Sequence, residues 1–437
     1  MRAFIINPWI YDFIAYDFWQ KPAALLFIAD FLRKSNIEVT FLDLLNRLDP
    51  EMPPTKTNEY GTGKYFFEEI EKPELLKHIP FRYKRFGLPY AAARRRIEMI
   101  IREQRPDFII VSTAMTYWYP GTEEVIRMVK DISPHIPVFH GGIFPTLYPD
   151  FAKKISAADY VISGDGIPFL GKILRDKFGG NPFKCKKHWF NCLDPDFHLY
   201  EKLLYLPVYT SVGCGFGCTY CPANILQPNF TQKTPEHTVN FILKNHKRFA
   251  FKNISFFDDN LLRNFNNNLK EILDAEELRN LNLNFHLPNG INIRSFNKNV
   301  AKWLKKSNFK TIHFGLETLI NERQNATGGK LTAADFFRTA DILHKYGLAE
   351  NTSFYILIGL ADQTKEEIEY TIKQVRRVGM NFKLTEYSPV PFTPEYNLQK
   401  EKGIIPDTMD PLLGNSFLLY FRDKRFSLEY KKYLLTN

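Results

Sequence analysis

From Pro207 onward the chain repeats one pattern six times: a short apolar run, a loop, then a stretch whose apolar residues recur at helical spacing. Strands are predicted at Pro207 to Val212, Ile254 to Phe257, Asn284 to Leu287, Thr311 to Gly315, Ser353 to Ile358 and Lys383 to Tyr387. Helices are predicted at Pro235 to Phe249, Asn268 to Arg279, Asn299 to Lys305, Ala333 to Tyr346 and Thr364 to Val378. Strands that each hand over to a helix pair in parallel, because the crossover returns the chain to its starting end. Six such units make a partial (β/α)6 barrel of the TIM type, and such barrels build their sites at the carboxyl ends of the strands.

Residues 1–180 alternate in the same way but read as an open, doubly wound, Rossmann-like parallel sheet. Its strands are predicted at Ala3 to Asn7, Glu38 to Leu42, Phe108 to Ser112, Val138 to His140 and Tyr160 to Ser163. Helices are predicted at Pro22 to Lys34, Ala91 to Glu103, Gly121 to Lys130 and Ile167 to Lys177. The strand ends carry Asn7-Pro8, Ser112-Thr113, Gly141-Gly142 and Gly164-Asp165-Gly166, and glycines there let backbone approach a bulky ligand. Residues 44–89 form a connection far longer than usual and are read as a lid over a ligand. Within it, Gly61-Thr62-Gly63-Lys64 lacks the spacing of a phosphate loop, which argues against nucleotide hydrolysis. Residues 181–206 are read as a linker, 207–390 as the barrel and 391–437 as a carboxyl-terminal extension.

Chemistry concentrates in Thr210-Ser211-Val212-Gly213-Cys214-Gly215-Phe216-Gly217-Cys218-Thr219-Tyr220-Cys221-Pro222, directly after the first barrel strand. Three thiolates are one fewer than a closed tetrahedral metal site needs, so one metal corner stays free. The alternative is a zinc site completed by Cys185, Cys192 or His188. Cys185 and Cys192 are read as free thiols. Five cysteines, three of them clustered, with no secretory leader in view, point to a reducing cytoplasm.

The spacing of Cys214, Cys218 and Cys221, with Tyr220 before the last, resembles the signature of the radical S-adenosylmethionine (SAM) superfamily. The resemblance implies that the three cysteines are catalytic and metal ligands, holding a 4Fe-4S cluster whose fourth iron is chelated by SAM. It also implies reductive cleavage of SAM to a 5'-deoxyadenosyl radical. By the same resemblance Asp258 and Asp259 meet the methionyl amino group, Glu317 the ribose hydroxyls, and Gly359 and Tyr220 the adenine. Arg294 is read as meeting a carboxylate of SAM or substrate, or as a structural salt bridge. The amino-terminal stretch resembles the cobalamin-binding domain that precedes the barrel in one branch of that superfamily. Gly141-Gly142-Ile143-Phe144-Pro145-Thr146 and Asp159-Tyr160-Val161-Ile162-Ser163-Gly164-Asp165-Gly166 carry the match. It implies cobalamin contacts from Ser112, Thr113, Gly141, Gly142, Gly164, Asp165 and Gly166. No D-x-H-x-x-G is present, so no imidazole from such a motif is offered to cobalt. The alternative is a Rossmann-like domain without cofactor that serves as a docking surface.

The net charge of +10 permits anionic partners without selecting them, and Arg94-Arg95-Arg96 reads as a solvated helix face rather than a nucleic-acid site. No apolar run reaches the ~18 residues of a spanning helix; contact of the aromatic tail with a membrane surface stays open beside simple packing. The resemblance implies a methyltransferase acting on an unactivated carbon of a small-molecule or peptide-derived substrate, with flavodoxin or ferredoxin as electron donor. Ring formation or rearrangement, RNA methylthiolation, and non-catalytic cobalamin or metal binding are the alternatives.

Overall fold

The computed structural model describes residues 1–436, which divide into two units: 1–203 with 410–414, and 204–409 with 415–436. The first is built on parallel strands β1 (Arg2–Asn7), β3 (Glu38–Asp43), β6 (Phe108–Thr113), β7 (Val138–Gly142) and β8 (Tyr160–Val161). Helices α1 (Ala23–Lys34), α2 (Tyr90–Gln104), α3 (Tyr119–Ile132), α4 (Pro149–Ile155) and α5 (Gly166–Phe178) lie between or after them. The strands lie side by side as β8-β7-β6-β1-β3. The order reverses between β1 and β6, and the carboxyl ends beside such a reversal form the ligand crevice of open α/β sheets. Phe4, Ile5, Ile6, Phe108, Ile109 and Val111 are buried, as strands covered on both faces require.

The segment read as a long loop is partly a sheet of its own. Strands β2 (Ile10–Asp12), β4 (Phe67–Ile70) and β5 (Tyr83–Phe86) pair antiparallel in the order β2-β5-β4. Ile10, Tyr65 and Phe86 form its small core. The Gly61–Lys64 stretch is held by Arg47. Its Nε donates to Asp17 (2.9 Å), its Nη1 to Thr57 Oγ1 (2.8 Å) and its Nη2 to the Gly61 carbonyl. Asp17 and Arg47 expose only 3% and 5% of their side chains, so this pair is desolvated. Residues 185–192 also depart from expectation. Cys185 and Cys192 are disulfide-bonded rather than free, because a short 3-10 turn at Trp189–Asn191 brings their Cα atoms to 6.1 Å, within bonding range.

The second unit is a six-stranded parallel sheet in sequential order: β9 (Tyr205–Val208), β10 (Asn253–Phe256), β11 (Asn284–Asn292), β12 (Phe309–Glu317), β13 (Thr352–Ile358) and β14 (Asn381–Glu386). Its helices include α6 (Pro235–Phe249), α7 (Leu269–Asp274), α8 (Lys298–Lys306), α9 (Ala333–Lys345) and α10 (Lys365–Arg377). Thr332 with Asp335 and Thr364 with Glu367 form capping boxes that start α9 and α10. Strand β11 runs past its expected end through Asn289-Gly290. Its register slips at Pro288, which has no N–H to give the ladder, and Gly290 comes so close to Gly315 that a Cβ would lie 2.7 Å from its nitrogen. Among the described residues no helix is long and apolar enough to cross a membrane.

Arg47→Met would leave Asp17 buried without its guanidinium. It should lower stability by ~3 kcal/mol, read by chemical denaturation followed through tryptophan fluorescence, since Trp19 Nε1 donates to the Tyr60 carbonyl of the same loop (2.9 Å).

Candidate functional site

After β9 the chain enters a two-residue ribbon, Ser211–Val212 paired with Thr231–Gln232, and the three cysteines lie in the loop that this ribbon closes. Gly213 and Gly215 have φ of 81° and 83°, the left-handed region that glycine enters without strain. Asp258, 4% exposed, anchors the entry: it accepts from Thr210 N (3.2 Å), Thr210 Oγ1 (2.6 Å) and Ser211 Oγ (2.6 Å). Burial pushes its carboxyl up to about 6 in spite of those bonds. Asp259 accepts from Gly213 N (3.2 Å), and Asn260 Nδ2 donates to the Cys214 carbonyl (3.0 Å). The Asp258-Asp259-Asn260 run therefore shapes the loop from below.

Cys214, Cys218 and Cys221 are free thiols. Loss of solvent pushes Cys214 up and Cys221 to about 11, with neighbouring cysteines and Asp259 adding to the rise. Thiolates that repel one another in this way favour a cationic group among them, and soft sulfur donors suit iron. The chemistry of the donor set thus fits an iron-sulfur cluster. Among the described residues no three His, Cys, Asp or Glu side chains converge as on a single metal ion.

One cation at the site escapes the sequence reading. Lys330 Nζ lies 2.5 Å from Glu317 Oε1, each side chain 14% exposed, and 5.9 Å from the centre of the Tyr220 ring. Burial works to lower its pKa, but Glu317, Cys218 and Cys221 outweigh that and raise it above the ordinary lysine value. The turn that delivers it packs on the cysteine loop: Thr219 N donates to the Thr327 carbonyl (3.3 Å), and a Cβ on Gly328 would lie 2.7 Å from the Gly217 carbonyl. Glu317 itself holds φ of 65°, a strained setting for a residue with a side chain, at a register slip in β12.

Gly359, Arg294 and Tyr220 each make contacts within the protein. Gly359 has φ of 102°, but its open side is taken by Leu419, and its N–H and carbonyl are bonded to Gln363 and Gln399. Its conformational freedom serves this packing. Arg294 lies 3.7 Å from Asp335, a salt bridge. Tyr220 packs with Leu357, Leu360 and Tyr387.

In the first unit, the carboxyl ends of β7 and β8 form a glycine cradle. Gly142, with φ of 106°, leaves no room for a Cβ beside the Thr113 carbonyl and Ser112 Oγ, whereas Gly164 and Gly166 face open space. The Thr146 hydroxyl joins the two turns, donating to the Gly142 carbonyl (2.7 Å) and accepting from Gly164 N (3.0 Å). Such a cradle, open where side chains are missing, fits a large planar cofactor. Asp165 caps α5 at Ile167 N and accepts from Trp189 Nε1 (2.8 Å). Thr113 turns inward, 1% exposed, to bond Thr122 (2.9 Å) and His140 (2.8 Å). Phe144 is buried and stacks on Tyr119 at 5.0 Å.

A family model described as the radical SAM superfamily matches residues 208–375, and one described as a B12 binding domain matches 87–169. A protein of Pyrococcus horikoshii named as an uncharacterized methyltransferase is 23% identical over 331 residues, covering 68% of this chain and 70% of its own length. Among solved structures, the radical SAM methyltransferase TsrM from Kitasatospora setae, with tryptophan substrate and a SAM analogue bound, aligns with a TM-score of 0.66. It covers 92% of this chain and 76% of that one at 13% identity. The cobalamin-dependent SAM radical enzyme OxsB, with aqua-cobalamin and SAM bound, aligns at 0.57, covering 91% and 55% at 13% identity. Likeness at this identity carries the fold.

Asp258 yields a pH test. A carboxyl whose folded pKa lies above its unfolded value stabilises the fold fully below the unfolded pKa of ~3.9, and this contribution is lost as pH rises through the folded pKa. Asp258→Asn stays neutral throughout. Relative to that variant, wild type should lose ~1 kcal/mol between about pH 5 and about pH 7.5, read as the difference between their urea midpoints.

Proposed function

This chain is a radical SAM protein with a B12-binding domain ahead of its barrel, and we propose that it is a cobalamin-dependent methyltransferase acting on an unactivated carbon of a small or peptide-derived substrate. The observation that carries the reading is the free triad Cys214, Cys218 and Cys221, held at the barrel rim beside the Glu317–Lys330 pair. The names of the Pyrococcus protein and of TsrM support the reaction type.

When bound, a 4Fe-4S cluster supplies the electron that cleaves SAM, and cobalamin carries the methyl group. The chain's own part is to bind and orient. The three cysteines would hold the cluster, and Lys330 offsets the negative charge that thiolates and Glu317 gather there. Glu317, fixed by Lys330, offers its second carboxylate oxygen to the ribose hydroxyls of SAM. Asp259 offers its charge to the methionyl ammonium, while Asp258, consumed by Thr210 and Ser211, keeps the loop in place. Gly141, Gly142, Gly164 and Gly166 would receive cobalamin, with Thr146 holding their turns together. This reading calls for an electron donor of flavodoxin or ferredoxin type and a reducing, cytoplasmic setting, in which the Cys185–Cys192 bond is the exception.

Anaerobic reconstitution tests the proposal. Wild type should gain visible iron-sulfur absorption and form 5'-deoxyadenosine from SAM under reduction; Cys218→Ala should lose both while keeping bound cobalamin. A reconstituted wild type that never yields 5'-deoxyadenosine would overturn it.

Gly166→Phe fills the open space of the cradle without straining the backbone. It should weaken cobalamin binding at least ~10-fold, about 1.4 kcal/mol, measured by absorbance titration, with iron-sulfur absorption unchanged.

A further inference from the structure

The two faces of the second sheet differ in chemistry. On one, Phe314 packs edge-on to Phe296 (5.0 Å) and stacks on Phe354 (5.2 Å), which in turn meets Phe336 of α9 (5.0 Å). That face lies under the helices. Successive strand residues point to opposite sides, so His313 on β12, Tyr355 on β13 and Lys383 on β14 share the other, concave face. They touch one another across three adjacent strands: Tyr355 Oη lies 2.6 Å from His313 Nδ1, and Lys383 Nζ lies 3.1 Å from His313 Nε2. Tyr355 Oη also donates to the Pro288 carbonyl (2.8 Å).

The donors and acceptors of this chain can be assigned in one direction. A lysine ammonium only donates, so His313 Nε2 accepts and the ring carries its proton on Nδ1. Nδ1–H then donates to Tyr355 Oη, whose own proton goes to the Pro288 carbonyl. Burial, with the charge of Lys383 behind it, holds His313 near 4, which keeps the ring neutral. The ammonium spends one N–H on this chain and keeps two. Among the described residues Lys383 has no carboxylate partner. The acid on its own strand, Glu386, is bonded instead to Lys431 (2.6 Å) and Tyr420 (2.6 Å). Lys383 is an exposed residue, so a ligand can reach it, and partial burial lowers its pKa.

Position links this cation to the reaction site. Leu357, two residues beyond Tyr355 on the same face of β13, packs with Tyr220 of the cysteine loop. Two residues of strand are ~7 Å, so the Lys383 cluster lies one layer deeper in the barrel than the residues that meet the cysteine loop.

We propose that Lys383, oriented by His313 and Tyr355, is a recognition site for a carboxylate of the substrate, so that the methyl acceptor is a carboxylic acid whose acid group lies deep in the barrel. This rests on the reading of the chain as a methyltransferase with its reaction centre at the cysteine loop. The two free N–H groups match the oxygens of a carboxylate, and an amide of the same shape lacks the charge.

The cluster-reconstituted full chain, without reductant, is titrated by calorimetry with benzoate and butyrate and with their isosteres benzamide and butyramide. At least one acid should bind ten or more times tighter than its amide. Lys383→Met should cut that preference below threefold while leaving iron-sulfur and cobalamin absorbance unchanged, and Lys383→Arg should keep it within about fivefold of wild type. No preference for either acid in the wild type, or a preference that survives Lys383→Met, overturns the proposal. No step of SAM cleavage enters this measurement, so loss of 5'-deoxyadenosine formation would count against the methyltransferase reading alone.

Discussion

The barrel rim hangs on one buried carboxylate. Asp258 takes three hydrogen bonds from Thr210 and Ser211, and Thr210 Oγ1 accepts a further one from Asn268 Nδ2 (3.0 Å) just ahead of α7. A charge carried out of water is costly unless its lone pairs are filled. Here they are filled by the residues that must leave the sheet at a fixed angle for the cysteine loop to form. The end of β9, the ribbon that closes the loop and the approach to α7 therefore share one electrostatic anchor. The Glu317–Lys330 pair repeats this arrangement on the far side of the loop, where charge is balanced within the protein.

The parallel framework was legible because burial on both faces demands runs of apolar residues. Phe108-Ile109-Ile110-Val111 and Tyr355-Ile356-Leu357-Ile358 leave little room for another reading. Helix limits were equally open where the capping chemistry is local, as at Thr332 and Thr364. The cysteine loop announced itself by residue type alone, since no ordinary core needs Gly215 and Gly217 between thiols and Gly213 just ahead of them.

What stayed hidden depends on partners distant in sequence. Strand β4 carries Glu68 and Glu69 at its centre. It stands as a strand because Arg85 of β5 pairs with Glu68 (2.9 Å) and Lys84 of β5 covers the Phe67 ring (4.6 Å). Alternation of polar and apolar residues cannot signal a sheet secured by charges. Lys330 follows Thr327-Gly328-Gly329, a stretch that reads as a plain turn; only the close pass of Gly328 over Gly217 brings it to the thiols. Gly359 shows the converse case. A glycine at a strand end invites a ligand, yet Leu419 from the carboxyl-terminal segment fills the space.

The hydroxyl of Thr146 has a mechanical consequence for the first unit. It donates to the Gly142 turn and accepts from the Gly164 turn, and beside it the Ser163 hydroxyl donates to the Pro145 carbonyl (2.7 Å). Two glycine turns, each pliant alone, are thereby made a single jaw, tied by two hydroxyls.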